Sequence, residues 1–298
     1  MKLATFSPLP TGNPRPGLVL DGKRIVDIPA ALGAGEDTGT MLGIIRAGAP
    51  ILERLRALAA QPSVGALSLA DVKLHAPIPR PAKNVFCVGW NYLPHFEEGA
   101  KKLQEDRKLP EWPVFFSKAP TTVVGPYDTV PFHAHVSTQC DWEVELGVII
   151  GPGGVDIAQD DAMRHIWGYT VVNDVSWRDL QRRHGGQWHK GKSLDGSCPI
   201  GPWIVTADSL DHTNLGVACR VNGVTKQESN TKHMYFKVPR LIADLSAGTT
   251  LEAGDIISTG TPEGVGFART PAEFMKPGDL LETEIEGIGV MRNPIGSF

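Results

Sequence analysis

Glycine and proline residues divide this chain into many short apolar segments. The 33 glycines and 24 prolines are spread along all 298 residues. Apolar stretches such as NVFCVG, residues 84–89, and TTVVGP, residues 121–126, end at one of these two residue types. Short apolar runs with such boundaries are typical of strands and turns. The pattern therefore predicts a fold in which strands outnumber helices.

Local patterns add hairpins and a few helices to this picture. Asp-Gly at 21–22 and Asn-Gly at 222–223 each separate two apolar segments, which predicts two tight hairpins. Helical spacing of apolar residues predicts helices over 40–60, over 175–184 and near 238–248. No regular alternation of strand and helix is evident. The predicted fold class is therefore α+β, mostly β.

A Pro-rich stretch, HAPIPRPAKN at 75–84, indicates a domain boundary. The chain is long enough for one large domain with a small one attached. We therefore predict a small N-terminal domain over residues 1–78 and a main domain over residues 79–298.

Composition and charge exclude several classes of protein. The net charge of −4 and the lack of interleaved basic and aromatic residues argue against nucleic acid or an anionic membrane surface as partner. No apolar run approaches the roughly 20 residues of a membrane span, and the N-terminus lacks the apolar core of a secretory signal. The cysteines are widely spaced without a CxxC motif, as in a reduced protein. We expect a cytoplasmic protein.

The stretch CDWEVELGVIIG, residues 140–151, sets three carboxylates within an apolar segment. Asp141, Glu143 and Glu145 alternate with apolar residues, so a strand would present them on one face. Burying such neighbouring charges without compensation would force protonation. A hard divalent cation such as Mg²⁺ removes the conflict, because it prefers oxygen ligands. A solvated strand edge, where charges block aggregation, is the alternative.

Asp174 ends the apolar segment WGYTVVND and begins a stretch with helical spacing. On a helix from Asp174, Arg178 and Gln181 would follow on the same stripe. Arginine suits bidentate binding of a substrate carboxylate. A surface Asp–Arg pair on an amphipathic helix would have the same pattern.

Three further segments carry candidate residues. The turn HKGKSLDG supplies Lys190 and Lys192, and a lysine near a metal site can stabilise an enolate, although loop lysines are commonly solvated. The loop GTPEGVG, residues 260–266, could bind an anion through backbone N–H groups, but it lacks the GK[ST] of a phosphate loop. His95 and Glu98 are one helical turn apart in a segment predicted to be mobile. They could activate water, or form an ordinary exposed pair.

In this order along the chain, the motifs resemble those of the fumarylacetoacetate hydrolase family. The resemblance covers roughly residues 80–296. It rests on Asp174 and on four motifs: NYxxHxxE at 91–98, ExE at 143–145, GKSxD at 191–195 and GDIISTGTPEGVG at 254–266. Each motif alone is weak, whereas the ordered set is specific. Pro94 departs from the family pattern, in which many members have Asp.

The resemblance implies a mixed β-sandwich roll, usually dimeric, with the small N-terminal domain of many bacterial members. It also implies that Mg²⁺ (or Mn²⁺) is held by Glu143, Glu145 and Asp174. Asp141 adjoins these residues but is not expected to be a ligand.

The resemblance also implies roles for the remaining residues. Lys192 matches the active-site lysine, and His95 and Glu98 match a catalytic dyad on a lid that orders when substrate binds. Residues expected to contact the substrate are Arg178, Gln181 and Thr261.

Two enzymatic hypotheses follow for a small 2-oxo acid substrate. The first is an Mg²⁺- or Mn²⁺-dependent hydrolase of aromatic catabolism, which cleaves a C–C bond in an acylpyruvate or fumarylpyruvate through an enolate. The second is an isomerase or decarboxylase of a catabolic dicarboxylate, of oxaloacetate or hydroxyheptadienedioate type, on the same site. A non-catalytic oxoacid-binding protein is a third reading, which predicts a missing ligand or a broken dyad. All these positions are filled. We also expect a homodimer.

Overall fold

The computed structural model describes residues 1–10, 12–61, 65–106 and 108–297. In these ranges, strand residues outnumber helical residues, which confirms the predicted mostly β class. The strands are β1 Lys2–Pro8, β2 Arg15–Leu20, β3 Arg24–Asp27, β4 Leu67–Ser68, β5 Val72–His75, β6 Val85–Gly89, β7 Val114–Lys118, β8 Val123–Val124, β9 Val130–Phe132, β10 Cys140–Asp141, β11 Val144–Ile150, β12 Ile166–Asn173, β13 Ser176–Trp177, β14 Cys198–Thr206, β15 Gly216–Val221, β16 Val224–Asn230, β17 Ile256–Ser258, β18 Leu280–Ile285 and β19 Gly289–Ser297.

Seven α-helices occur within the same ranges. They are α1 Ile28–Leu32, α2 Met41–Ala47, α3 Ala49–Ala59, α4 Leu93–Leu103, α5 Arg178–Arg183, α6 His189–Lys192 and α7 Val238–Ser246. None of the helices in the described part of the chain is long and apolar enough to cross a membrane.

Two mixed sheets share one core. The larger sheet runs in the order β4-β3-β2-β1-β14-β12-β11-β17-β6-β7, with β5 beside β1 and β8 beside β14. The smaller sheet runs β16-β15-β18-β19-β9, and a separate pair joins β10 to β13. Val144 and Leu146 of β11 belong to the same buried cluster as Val217 of β15 and Leu281 of β18. The two sheets therefore pack face to face, as in a sandwich.

Both predicted hairpins are confirmed. Asp21 and Gly22, with φ angles of 49° and 68°, form the turn between β2 and β3, which the N–H of Lys23 closes by donating to the carbonyl of Leu20 at 3.1 Å. Asn222 and Gly223 connect β15 to β16 with φ angles of 54° and 75°. Two consecutive residues with positive φ form the type I′ turn that matches the twist of paired strands, which explains the Asx-Gly sequences.

The helical region predicted over residues 40–60 consists of two helices. α2 ends at Ala47 and is followed by Gly48, whose φ is 64°, and α3 has Pro50 in its first turn, as predicted. The hydroxyl of Thr40 accepts a hydrogen bond from the backbone N–H of Gly43 at 3.0 Å, which caps α2.

β11 is buried along its whole length between β12 and β17. The prediction that Asp141, Glu143 and Glu145 share one strand face is wrong for Asp141. This residue lies in β10, which pairs with β13 outside the larger sheet. The chain changes partner between Asp141 and Val144, so Glu145 lies in β11, Glu143 directly precedes it, and Asp141 belongs to a different strand pair.

The helix predicted from Asp174 begins later than expected. Ser176 and Trp177 form β13, and α5 starts only at Arg178. Pairing with Cys140 and Asp141 holds these residues extended, which overrides the helical spacing of the sequence.

The predicted division between residues 78 and 79 remains a prediction. β1 pairs with β2 and β5, and residues Lys2 and Leu3 also pair with Val205 and Ile204 of β14. The strands of the N-terminal segment therefore extend the sheet that carries the candidate site.

Candidate active site

Three buried carboxylates come together beside β11. Glu143 directly precedes β11, Glu145 lies within it, and Asp174 follows β12. The backbone N–H of Asp174 donates to the carbonyl of Glu143 at 2.9 Å, so antiparallel pairing brings these strand ends together. Candidate ligand oxygens of the three residues all lie within 4.8 Å of one another. The structure thus brings together the three residues predicted to bind a metal.

Two buried lysines hold Asp174 between them. Lys192 Nζ lies 2.7 Å from Glu143 Oε2 and 2.6 Å from Asp174 Oδ2. Lys118, at the end of β7, places its Nζ 2.9 Å from Asp174 Oδ1. The same ammonium group donates to the carbonyl of Val175 at 3.0 Å and to the carbonyl of Lys192. Lys118 therefore links the Asp174 carboxylate to the backbone of the second lysine.

Arg178 forms ion pairs with two carboxylates. Its guanidinium lies 2.7 Å from Asp141 Oδ2 through Nε and 2.7 Å from Glu143 Oε1 through Nη2. Backbone N–H groups of Gly266 and Phe267 also donate to Asp141, at 2.7 and 2.9 Å. Asp141 therefore anchors Arg178, which also pairs with Glu143, and the exclusion of Asp141 from the metal ligands stays a prediction. A substrate contact by Arg178 stays a prediction.

Glu145 differs from the other two carboxylates in its partners. It accepts hydrogen bonds from Ser258 Oγ at 2.6 Å and from the backbone N–H of Gly260 at 2.8 Å. Among the described residues it has no ion-pair partner. Burial, with the nearby charges of Asp174 and Glu143, raises the pKa of Glu145 well above its usual value. One carboxylate of the cluster therefore has no cation in direct contact with it among the described residues.

The cations have the opposite effect on Glu143. Burial alone would raise its pKa, but the ammonium of Lys192 and the guanidinium of Arg178 lower it to about 2. Burial likewise opposes charge on Lys192, but Asp174 and Glu143 raise its pKa to about 12. Lys192 and Glu143 therefore remain charged near neutral pH.

His95 and Glu98 form a hydrogen-bonded pair on α4, as their spacing predicted. His95 Nδ1 lies 2.8 Å from Glu98 Oε1, and the backbone N–H of Gly264 donates to Glu98 Oε2 at 2.9 Å. His95 is buried and lines the same cavity as Glu143 and Glu145. The hydrogen bond from Gly264 to Glu98 links the pair to the 260–266 loop. Its mobility and its role as a lid remain predictions.

Gln181 and Thr261 also line this cavity. Gln181 Oε1 accepts a hydrogen bond from Arg178 Nη1 at 3.2 Å. The Thr261 hydroxyl donates to the carbonyl of Val144 at 3.0 Å and accepts from Gln227 Nε2 at 2.8 Å. Both side chains have protein partners, and their substrate contacts remain predictions.

The cavity has a volume of about 260 Å³ and combines the charged groups with aromatic rings. Its aromatic side chains are Trp90, Phe116, Trp188 and Phe267. Sequence analysis missed them and Lys118. The one available signal for Lys118 was its position at the end of the apolar strand VFFSK. Nothing in the sequence indicated that Trp90 and Trp188, 98 positions apart in the chain, would meet.

The donor set suits a hard divalent cation. Glu143, Glu145 and Asp174 offer only oxygen atoms, the ligands that Mg²⁺ and Mn²⁺ prefer. Glu145 also lacks an ion-pair partner among the described residues. A cation bound there would supply that missing positive charge.

The family described as Fumarylacetoacetate (FAA) hydrolase C-terminal matches residues 84–296. The chain belongs to the fumarylacetoacetate hydrolase family. The predicted resemblance is therefore confirmed, and the protein is an enzyme of this family.

Two similar relatives within the fumarylacetoacetate hydrolase family are named as tautomerases, whereas our first hypothesis is a C–C hydrolase. Oxaloacetate tautomerase YisK of Bacillus subtilis (strain 168) is 42% identical over 292 residues, which span 94% of this chain and 95% of that protein. Human mitochondrial oxaloacetate tautomerase FAHD2A is 48% identical over 242 residues, which span 80% of this chain and 74% of that protein. These names favour the second hypothesis, an isomerase or decarboxylase of a dicarboxylate, over the hydrolase.

Solved structures of the family support the fold. The fumarylacetoacetate hydrolase of Exiguobacterium antarcticum superposes with a TM-score of 0.83 and 38% identity, covering 100% of both chains. Maleylpyruvate hydrolase from Sphingobium sp. SYK-6, in complex with manganese(II) and pyruvate, gives 0.80 and 30% identity over 100% of this chain and 99% of that one. The fumarylacetoacetate hydrolase fold thus accommodates a divalent metal and a 2-oxo acid in at least one neighbour.

Proposed function

We propose that this enzyme interconverts the enol and keto forms of oxaloacetate or a closely related short 2-oxo diacid. The observation that carries the proposal is the 42% identity to an oxaloacetate tautomerase over 95% of that protein's length. The small cavity contains a buried histidine that is paired with Glu98 and a buried lysine, a set suited to a reaction that moves one proton.

Tautomerisation is balanced without another reactant. From enol to keto, the O–H bond on C2 breaks and a C–H bond forms at C3. The electron pair of the C2=C3 bond takes up the proton at C3, and the O–H pair becomes part of the C2=O bond. The protein must hold a proton and stabilise the enolate between these events.

His95 is the residue proposed to hold this proton. Its Nδ1 is committed to Glu98, which fixes the ring and leaves Nε2 as the exchanging nitrogen. Lys192 is proposed to stabilise charge on the substrate's C2 oxygen. Mg²⁺ or Mn²⁺ bound by Glu143, Glu145 and Asp174 would add positive charge near the substrate oxygens.

A stopped-flow experiment that follows enol absorbance tests the proposal directly. Freshly dissolved enol-oxaloacetate is mixed with enzyme and Mg²⁺, and the loss of enol absorbance is compared with an EDTA control. Catalysis above the metal-only rate supports tautomerase activity. His95→Ala should slow turnover by roughly 10²-fold or more while the protein still binds Mg²⁺. A His95→Ala enzyme with normal turnover would remove His95 from the mechanism.

Hydrolysis of an acylpyruvate is the second candidate function. The observation favouring it is the structural similarity to maleylpyruvate hydrolase bound to manganese(II) and pyruvate. In that reaction the His95–Glu98 pair would deprotonate water instead of the substrate. Assaying pyruvate and acetate from acetylpyruvate separates the two functions, because tautomerisation releases neither product. Pyruvate and CO₂ from oxaloacetate would instead indicate decarboxylation.

A further inference from the structure

Three aromatic rings form a connected wall of the active-site cavity. Trp188 packs against Trp90 with ring centroids 4.9 Å apart and against Phe116 at 5.2 Å. Trp90 in turn contacts Phe96 of α4 at 6.1 Å. All three wall residues line the cavity, and the Lys192 ammonium lies 4.9 Å from the centroid of the Phe116 ring. The wall therefore lies directly beside the charged groups of the site.

The position of Trp188 depends on the absence of a side chain at Gly89. A Cβ atom added at Gly89 would lie 2.4 Å from Cζ3 and 2.7 Å from Cη2 of the Trp188 indole. The third nearest atom, at 3.7 Å, is also part of this indole. Gly89 ends β6 without the positive φ that favours glycine, so its backbone would accept alanine. Space for the indole is therefore the reason that the structure gives for glycine here.

The backbone of Trp188 is tied to the helix that carries Lys192. Its carbonyl accepts hydrogen bonds from the N–H groups of Gly191 at 2.9 Å and Lys192 at 3.1 Å. The preceding Gly185 and Gly186 both have positive φ, at 63° and 81°. A substitution that changes only the indole leaves both backbone hydrogen bonds in place. The size of this wall can therefore change while the Lys192 helix keeps its start.

We propose that Trp188 is a specificity-determining residue that limits the enzyme to short 2-oxo diacids. The inference rests on the proposed tautomerase function and deepens it. The cavity of about 260 Å³ is smaller than the roughly 300–1,000 Å³ of sites for drug-sized ligands. The Trp188 indole, seated on Gly89, closes part of this space. Removing the indole should let a longer diacid reach the same charged groups.

The first test compares two diacids that are both converted from the 2-hydroxy (enol) form to the 2-oxo (keto) form. They are enol-oxaloacetate, with four carbons, and 2-hydroxyhepta-2,4-diene-1,7-dioate, with seven. In Trp188→Ala, the ratio of kcat/KM for the longer acid to that for the shorter one should rise by about tenfold or more. Trp188→Phe should change this ratio much less. Trp112→Ala is a matched control, because Trp112 is 61% exposed and lies outside the cavity lining.

The second test uses Gly89 to show that the indole acts where the structure places it. Gly89→Ala alone should displace the indole and lower kcat/KM for oxaloacetate. The same change in a Trp188→Ala background should have little further effect, because the ring that meets the new Cβ is gone. Such non-additivity is expected for residues in contact or coupled through a shared cavity, and not for distant, independent sites. Additive effects of the two changes would contradict the proposed arrangement.

The outcomes separate this inference from the proposed function. An inactive wild-type enzyme on both acids would refute the tautomerase proposal. In that case the role of Trp188 is tested by binding instead: calorimetric titration in Mg²⁺ measures the affinities for pyruvate and 2-oxoheptanedioate. Trp188→Ala should gain affinity only for the longer acid. A folded Trp188→Ala protein with an unchanged substrate ratio, or an unchanged affinity ratio, would overturn the role of Trp188.

Discussion

At the scale of residues, the site is a buried set of opposite charges. Carboxylates of Glu143 and Asp174 are paired with cations from three different segments, whereas Glu145 has only neutral hydrogen-bond donors. Removing one partner of a buried ion pair leaves the other charge buried without compensation. Substituting a single charged residue of this set should therefore destabilise the folded protein more than substituting a charged residue on the surface.

Lys118→Met should destabilise the protein strongly. It removes the ammonium beside Asp174 and leaves the carbonyls of Val175 and Lys192 without this donor. The expected loss in the free energy of unfolding is about 3–5 kcal/mol, measured by urea denaturation. Lys190→Met is the matched control, since Lys190 is exposed and should change stability by less than about 0.5 kcal/mol. Equal stability of the two variants would contradict the structural role of Lys118.

Glu145→Gln should abolish stabilisation by the cation while preserving the fold. The amide oxygen can still accept the hydrogen bonds from Ser258 and Gly260, but the charge is lost. At a concentration of 100 times its Kd, Mg²⁺ should stabilise the wild type by about 2.7 kcal/mol and the variant by far less. Thermal unfolding with Mg²⁺ and with EDTA measures this difference. Exposed Glu111→Gln should respond as the wild type does, and an equal Mg²⁺ effect in Glu145→Gln would exclude Glu145 as a ligand.

At the scale of elements, strand ends and loops supply different parts of the site. The metal-binding candidates lie in or beside β11 and β12, which are buried on both sides. His95 comes from α4, and Trp188 comes from the loop that leads into α6. Buried strands therefore position the carboxylates, whereas His95 and Trp188 reach the cavity from segments outside the sheets.

Sequence patterns predicted these elements unequally. Both hairpins were predictable because an Asx-Gly pair has a strong local preference for one turn. The start of α5 was not, because the strand pairing of Ser176 and Trp177 depends on residues more than thirty positions earlier. Arg178 and Gln181 nevertheless meet through a direct hydrogen bond, since both lie on α5.

Thr40→Ala should weaken α2 without affecting catalysis. The hydroxyl of Thr40 caps the first turn by accepting from the N–H of Gly43. Loss of this cap should lower the free energy of unfolding by about 1 kcal/mol. Urea denaturation measures the loss, and exposed Thr249→Ala is the control. Activity should stay unchanged, because α2 contributes no residue to the lining of the cavity.

At the scale of the whole molecule, sequence motifs predicted which charged residues would lie in the site better than they predicted what surrounds those residues. The ordered motifs identified the carboxylates, the His–Glu pair and Lys192, because each motif contains the residue itself. Lys118 and Trp188 belong to no such motif. Their importance comes from contacts across the fold, with Asp174 and Gly89, which neither spacing nor periodicity contains.

The four cysteines provide a test of the overall packing. Cys87, Cys140, Cys198 and Cys219 are all free and buried. Burial raises the pKa of Cys198 to about 12 and raises those of the other three as well, so their reactive thiolate forms are disfavoured. A thiol-specific reagent should therefore react slowly with the native protein and with four groups after denaturation. Fast reaction of a thiol in the native protein would contradict this packing.

The neighbours of β11 have a consequence for synthesis of the chain. Glu145 receives its hydrogen bonds from Ser258 and Gly260, which follow it by 113 and 115 residues. During translation, all three carboxylates are therefore synthesised long before Ser258 and Gly260, the hydrogen-bond donors that orient Glu145. A growing chain that already contains Glu143, Glu145 and Asp174 still lacks the strand that completes their surroundings. A divalent cation that binds this cluster should accordingly be acquired only after β17 emerges, late in translation.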